Sequence, residues 1–172
     1  MLNKLYLAYL RKVGDSLWDE LIREEARYRW FMRNAAEVVG VLESVGATYA
    51  LYKFRRSFEH VSVDQDILVK VEDVSRAVRS LVSRSFRVIV WEPCTVTLSR
   101  SGFIVDLYTH PFFAWVVYMD GERFIYCCVD EVDVKGSSAK ALSREAEVAV
   151  ATAHAVYKEH VVLLMDCLVA WS

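Results

Sequence analysis

The stretch Ser62-Val63-Asp64-Gln65-Asp66-Ile67-Leu68-Val69 decides how the rest of the chain is read. Val61, Val63, Ile67 and Val69 alternate with Ser62, Asp64, Asp66 and Leu68, the period-2 pattern of a half-buried strand. Residues two apart on a strand point the same way, so Asp64 and Asp66 share a face. Two carboxylates held that close repel each other unless a cation lies between them or a proton is shared. A second strand is predicted at Phe103-Ile104-Val105-Asp106-Leu107-Tyr108, with one more acid between apolar neighbours. If the two strands are adjacent in a sheet, Asp64, Asp66 and Asp106 converge. Three carboxylates on one rigid surface suit Mg²⁺, which takes a few such ligands and leaves positions for water and substrate phosphates. A charged strand end facing solvent would also show two acids. The alternate apolar positions and the distant Asp106 favour the metal reading.

Outward from that stretch, 172 residues are enough for one domain with a proper core. A hydrophobic content of 55% with 26% charged residues excludes a disordered chain. The net charge of −2 gives no general pull toward nucleic acid, so any such contact would need a local basic patch. Residues 1–11 lack a signal-peptide core. The apolar segment 146–171 is interrupted by Glu147, His154, Lys158, Glu159, His160 and Asp166, which a bilayer-spanning helix would not tolerate. The expectation is a soluble, cytoplasmic protein. No Cys-x-x-Cys pair occurs among Cys94, Cys127, Cys128 and Cys167, which argues against zinc. Cys127 and Cys128 fall in a strand-like run and should point to opposite faces, unsuited to a mutual disulfide. Asn3, Asn34 and Gln65 are the only side-chain amides, a depletion that reads as thermophilic.

Along the chain, residues 2–13 read as a helix closed by Gly14, and Asp15-Ser16 as a cap for a second helix over 17–44. Strands are expected at 48–54, 86–91 and 95–98, a helix from Asp73 to about Arg84, and a hairpin of 115–119 with 123–129 around Asp120-Gly121. Residues 130–140 read as a polar link before a last helix from about Ser143 to Trp171. The class is α+β, a mixed β-sheet with helices on one side and with N- and C-terminal helices packed on it. The domain divides into a helical N-terminal part (1–46), a sheet core with the acidic site (47–130) and the C-terminal helix (141–172). The apolar face of that last helix needs cover, from the core, a second copy or a protein partner.

Asp-x-Asp on a strand, followed by helix, strands and a third Asp between apolar residues, resembles the nucleotidyltransferase superfamily that includes DNA polymerase beta. Within it, the pattern is similar to a group of uncharacterised prokaryotic and archaeal members. The resemblance covers about Val45 to Tyr108. The superfamily carries a Gly-Ser pair before its acidic strand, absent here, and an apolar residue between the acids, where this chain has Gln65. The resemblance implies that Asp64 and Asp66 hold Mg²⁺ and the phosphates of a nucleoside triphosphate, and that Asp106 serves the acceptor side. Lys53, Arg55, Arg56 and Ser57, just before the acids, are the candidates for the phosphate contacts the missing Gly-Ser would make. His60 reads first as a solvated loop histidine. His110 shares the alternation of Asp106 and Tyr108 and would assist proton transfer only if the strand ran past Pro111. His154 and Lys158 share a face of the last helix, where a surface histidine is the favoured reading.

The expected function is therefore Mg²⁺-dependent transfer of a nucleoside monophosphate from NTP to a hydroxyl acceptor. The alternative is a catalytically inactive binding or antitoxin-like regulatory module on the same fold. A metal-dependent nuclease or phosphatase ranks behind both, because no His-rich or Lys-containing nuclease motif is present.

Overall fold

A computed structural model describes residues 3–13, 17–55 and 59–159. Nine strands and five α-helices follow one another in the order α1 (Asn3–Val13), α2 (Trp18–Ser44), β1 (Tyr49–Leu51), β2 (Asp64–Val69), α3 (Val71–Ser83), β3 (Arg87–Glu92), β4 (Thr95–Arg100), β5 (Phe103–Tyr108), β6 (Phe112–Phe113), β7 (Val116–Val117), α4 (Gly121–Cys127), β8 (Val129–Val134), β9 (Ser137–Leu142) and α5 (Arg144–His154), with a π-helical turn at Ala155–Glu159 among the described residues. Seven strands form one mixed sheet in the order β3-β4-β5-β2-β1-β9-β8. The α+β expectation holds.

β2 lies near the middle of the sheet, antiparallel to β1 and parallel to β5. It starts at Asp64, and the exposed Val63 precedes it. Five of its six residues are buried, so it is not the half-buried strand its alternation suggests. The cause is cover on both faces. On one, Ile67 and Val69 join Phe31, Ala35, Val38 and Leu42 of α2, Ala77 and Leu81 of α3, and Val105 and Leu107 of β5 in the main core. On the other, Leu68 joins Ala50, Ile125 of α4 and Ala146 and Val150 of α5 in a smaller cluster. Helices on a single side were the expectation. α4, between β7 and β8, and α5, after β9, put helices on both.

The region after β5 departs furthest from expectation. The hairpin there is β6–β7, turning at Ala114 and Trp115, whose φ values of 48° and 68° are left-handed. Asp120-Gly121 instead starts α4: the Asp120 carboxylate accepts from the N–H groups of Glu122 and Arg123, an N-cap. Gly121 is required there, because a Cβ would stand 2.3 Å from the Thr109 carbonyl oxygen. Helical placement also corrects the cysteine reading. Cys127 and Cys128, at the C-terminal end of α4 rather than on a strand, are joined by a disulfide. Residues 130–140 are not a polar link but most of the β8–β9 hairpin, turning at Lys135-Gly136, both with positive φ as a type I′ turn needs.

α5 opens at Ser143, whose hydroxyl accepts from the Ala146 N–H, and its continuation beyond Glu159 toward Trp171 lies outside the described residues, as do Arg56, Ser57 and His160. No helix among the described residues is long and apolar enough to cross a membrane.

Candidate active site

β2 and β5 run parallel in a register that sets Asp66 directly beside Asp106, with Asp64 beside Ile104. Side chains alternate along each strand, so all three acids emerge on the face opposite the main core. One carboxylate oxygen from each lies within 4.8 Å of the others. Asp66 is 8% exposed, while Asp64 and Asp106 are half-buried. Oxygens bound to one Mg²⁺ at about 2.1 Å stand no more than about 4.2 Å apart, so small side-chain rotations would close this triad on an ion. The donor set, carboxylate oxygens only, fits a hard divalent cation.

Lys53 brings a positive charge to the acids, its Nζ 3.2 Å from Asp66 Oδ2. The same ammonium sits 5.0 Å from the centre of the Tyr52 ring and 5.9 Å from that of Tyr108. Lys53 adopts a left-handed φ of 55°, which a non-glycine residue holds only where its surroundings enforce it. Enforcement comes from Glu147 of α5, a buried carboxylate that accepts from the N–H groups of Lys53 (2.9 Å) and Phe54 (3.0 Å). β4 contributes Thr97, which pairs opposite Asp106 and donates its hydroxyl to Asp106 Oδ1.

Three phenols line the acids. Burial pushes Tyr52, Tyr108 and Tyr118 up, and the negative charge of Asp66 pushes each further. Tyr118 reaches about 12. All three therefore stay protonated at neutral pH and remain hydrogen-bond donors in a negatively charged pocket. Tyr118 also stacks on Tyr157 with ring centres 5.2 Å apart.

Of the residues singled out in the sequence, the structure brings together Asp64, Asp66, Asp106 and Lys53. Arg55 instead pairs with Asp130 of β8 at 2.9 Å. β5 ends before His110, whose Nδ1 accepts from the Gly121 N–H at the start of α4, 3.1 Å away. His60 is half-buried in the segment before β2, and His154 lies at the end of α5. Sequence reasoning missed Glu147, Thr97 and the tyrosines. Glu147 had left a trace, as an acid within the buried row Ala146, Val150 and Ala151. Thr97 had none, because its place depends on the β4–β5 register alone.

No protein-family model matches the chain, and no curated protein matches it in sequence. Solved structures do match in shape. The lincosamide antibiotic adenylyltransferase LnuA, solved with lincomycin bound, is 14% identical, with 80% of this chain and 92% of that one covered at a TM-score of 0.55. ANT(2″)-Ia in complex with adenylyl-2″-tobramycin is 9% identical, with 75% and 79% covered at 0.55. A candidate nucleotidyltransferase of Thermotoga maritima is 14% identical, with 77% and 89% covered at 0.56. Together with the seven-stranded mixed sheet and its helices, these matches show that the chain has a nucleotidyltransferase-like fold.

Proposed function

We propose that this protein is a Mg²⁺-dependent nucleotidyltransferase that moves a nucleoside monophosphate from an NTP to a hydroxyl acceptor. The observation that carries the reading is the convergence of Asp64, Asp66 and Asp106, with carboxylate oxygens within 4.8 Å of one another, on this fold. Bound there, Mg²⁺ would neutralise phosphate charge and polarise the α-phosphoryl group. Asp64 and Asp66 would hold the ion. Asp106 faces the acceptor, receives its hydroxyl proton or orients it, and is itself oriented by Thr97. The acceptor oxygen bonds to the α-phosphorus, and the bond to pyrophosphate breaks. Lys53, fixed by Glu147, meets the phosphates as a point charge. The phenols of Tyr52, Tyr108 and Tyr118 limit water around the acids. A small hydroxylated molecule is the acceptor class favoured, by analogy with the lincomycin and adenylyl-tobramycin complexes of the structural neighbours.

One observation supports a second reading, a binding module without turnover. The Lys53 ammonium stands 3.2 Å from Asp66, where it offsets charge that a metal would otherwise take. Calorimetric titration of ATP, GTP, CTP and UTP, with Mg²⁺ and with EDTA, separates the two. Binding that needs Mg²⁺ and is lost in Asp66→Asn is the expected result. The absence of binding by all four nucleotides overturns the enzyme reading. Nucleotide binding without pyrophosphate release across a panel of hydroxylated acceptors favours the module.

A further inference from the structure

The two edges of the seven-stranded sheet are finished differently. β8 is protected by charge: Asp130, Glu131 and Asp133 are all exposed along it. β3 is not. Val88, Ile89, Val90 and Trp91 are 39%, 59%, 40% and 59% exposed, four large apolar residues in a row on an edge strand. Such an edge offers unpaired backbone groups to another strand, and proteins ordinarily blunt it.

We propose that β3 is the interface of a homodimer, pairing antiparallel with β3 of a second copy about a twofold axis perpendicular to the sheet. The sequence Arg87-Val88-Ile89-Val90-Trp91-Glu92 is self-complementary in this arrangement. With the axis between Ile89 and Val90, Arg87 faces Glu92 of the partner subunit and Val88 faces Trp91 of the partner subunit, and the twofold makes each pair twice. Ion pairs then close both ends of an apolar centre.

The β-bulge in β3 makes that register possible. In a regular strand, residues 88 and 91 point to opposite faces, so they could not pair across a dimer axis. Here the register against β4 shifts between Val88 and Val90: Val88 pairs with Leu98, Val90 with Thr97 and Trp91 with Val96. Leu98 and Val96 both belong to the main core, so Val88 and Trp91 lie on that same face. Arg87 and Glu92 pair with Ser99 and Thr95, on the same side as Thr97 and the acids. The Arg87–Glu92 and Val88–Trp91 pairs of the proposed register therefore each join residues of one face, as a continuous sheet demands, with the bulge residue Ile89 beside the axis. Both acidic sites open on the same side of the joined sheet, with neither covered by the pairing.

Charge reversal tests the register rather than mere stickiness. Sedimentation of the full chain over a wide concentration range should show a monomer–dimer equilibrium. Arg87→Glu and Glu92→Arg, each setting like charges opposite one another, should weaken dimerisation at least tenfold. The double variant, which restores opposite charges in swapped positions, should recover it. Amide exchange of the wild type should show protection over residues 87–92 that grows with protein concentration, a readout that needs no variant. A wild type that stays monomeric, as it would if this edge takes a strand of another protein, overturns the proposal. So does a dimer indifferent to both single reversals, or an edge whose exchange is independent of concentration.

Discussion

The two faces of the central sheet grow from the same alternating strands and have opposite chemistry. On one, α2 and α3 seal a large apolar core over Ile67, Val69, Val105 and Leu107. On the other, α4 and α5 cover only the β2-β1-β9 side with a small cluster, and the next residues along β2 and β5 are carboxylates. The first face supplies the rigidity that the second needs. Three like charges within 4.8 Å would spread apart on a soft surface, and here they are carried by strands buried on their reverse side. Substitutions on the two faces should therefore fail in different ways.

The largest effect is expected at Asp66. Asp66→Asn removes a proposed metal ligand without altering shape and should lower the proposed nucleotidyl transfer by about a thousandfold, measured as pyrophosphate release. Its melting temperature should change little, since relief of the repulsion with Asp64 and Asp106 offsets the lost ion pair with Lys53. Residual activity near the wild-type level would remove Asp66 from the chemistry and end the contrast between the faces. Leu81→Ala on the sealed face is the counterpart. Leu81 is fully buried, so truncation should cost about 3 kcal/mol in urea unfolding while the folded fraction keeps its nucleotide affinity.

Glu147→Gln probes the link between stability and site. One of the Lys53 and Phe54 N–H groups then loses its acceptor and the other its charge assistance, which should cost about 2 kcal/mol. The substitution should also weaken Mg²⁺-dependent nucleotide binding, because Lys53 loses its fixed backbone. Unfolding and calorimetry on the same sample read both effects, and a stability loss with unchanged nucleotide affinity would leave Glu147 purely structural.

Gln65 is the flaw in the sealed interior. It is 2% exposed, and its Oε1 has no hydrogen-bond partner. Gln65→Leu should raise stability by about 1 kcal/mol, seen as a higher urea midpoint with the same slope. A destabilised variant would mean that the amide is satisfied in solution. The smallest effect concerns acid. The Arg100 guanidinium, hydrogen-bonded to Glu37, holds that carboxyl below its ordinary 4.5. Its contribution is complete above pH 4.5 and is lost as pH falls through the lower folded value. The carboxylate is 40% exposed, so the total is under about 1 kcal/mol. Glu37→Gln should flatten that part of the stability–pH curve and change little at neutral pH.

Asp64 and Asp66 were legible as a pair because strand periodicity is local: residues two apart share a face whatever surrounds them, whereas Asp106 joins them through the β2–β5 register. The same local rule misjudged β2 itself. Period 2 reports a strand's own alternation, and β2 is buried on both sides only because helices from distant parts of the chain close over each face. Asp120-Gly121 carried the composition of a hairpin turn. It became a helix start because the Asp120 carboxylate caps the first turn of α4 and the Thr109 carbonyl leaves no room for a Cβ at residue 121.

By itself, then, the sequence determined the α+β class, the Asp-x-Asp strand, and the long amphipathic helices. Each of these rests on spacing between near neighbours. Tertiary structure alone decided that α4 and α5 lie opposite α2 and α3, that Glu147 reaches across to hold Lys53, that Thr97 meets Asp106, and that the bulge in β3 turns Val88 and Trp91 to one face. Those outcomes depend on registers and contacts between segments far apart in the chain, which no local periodicity encodes.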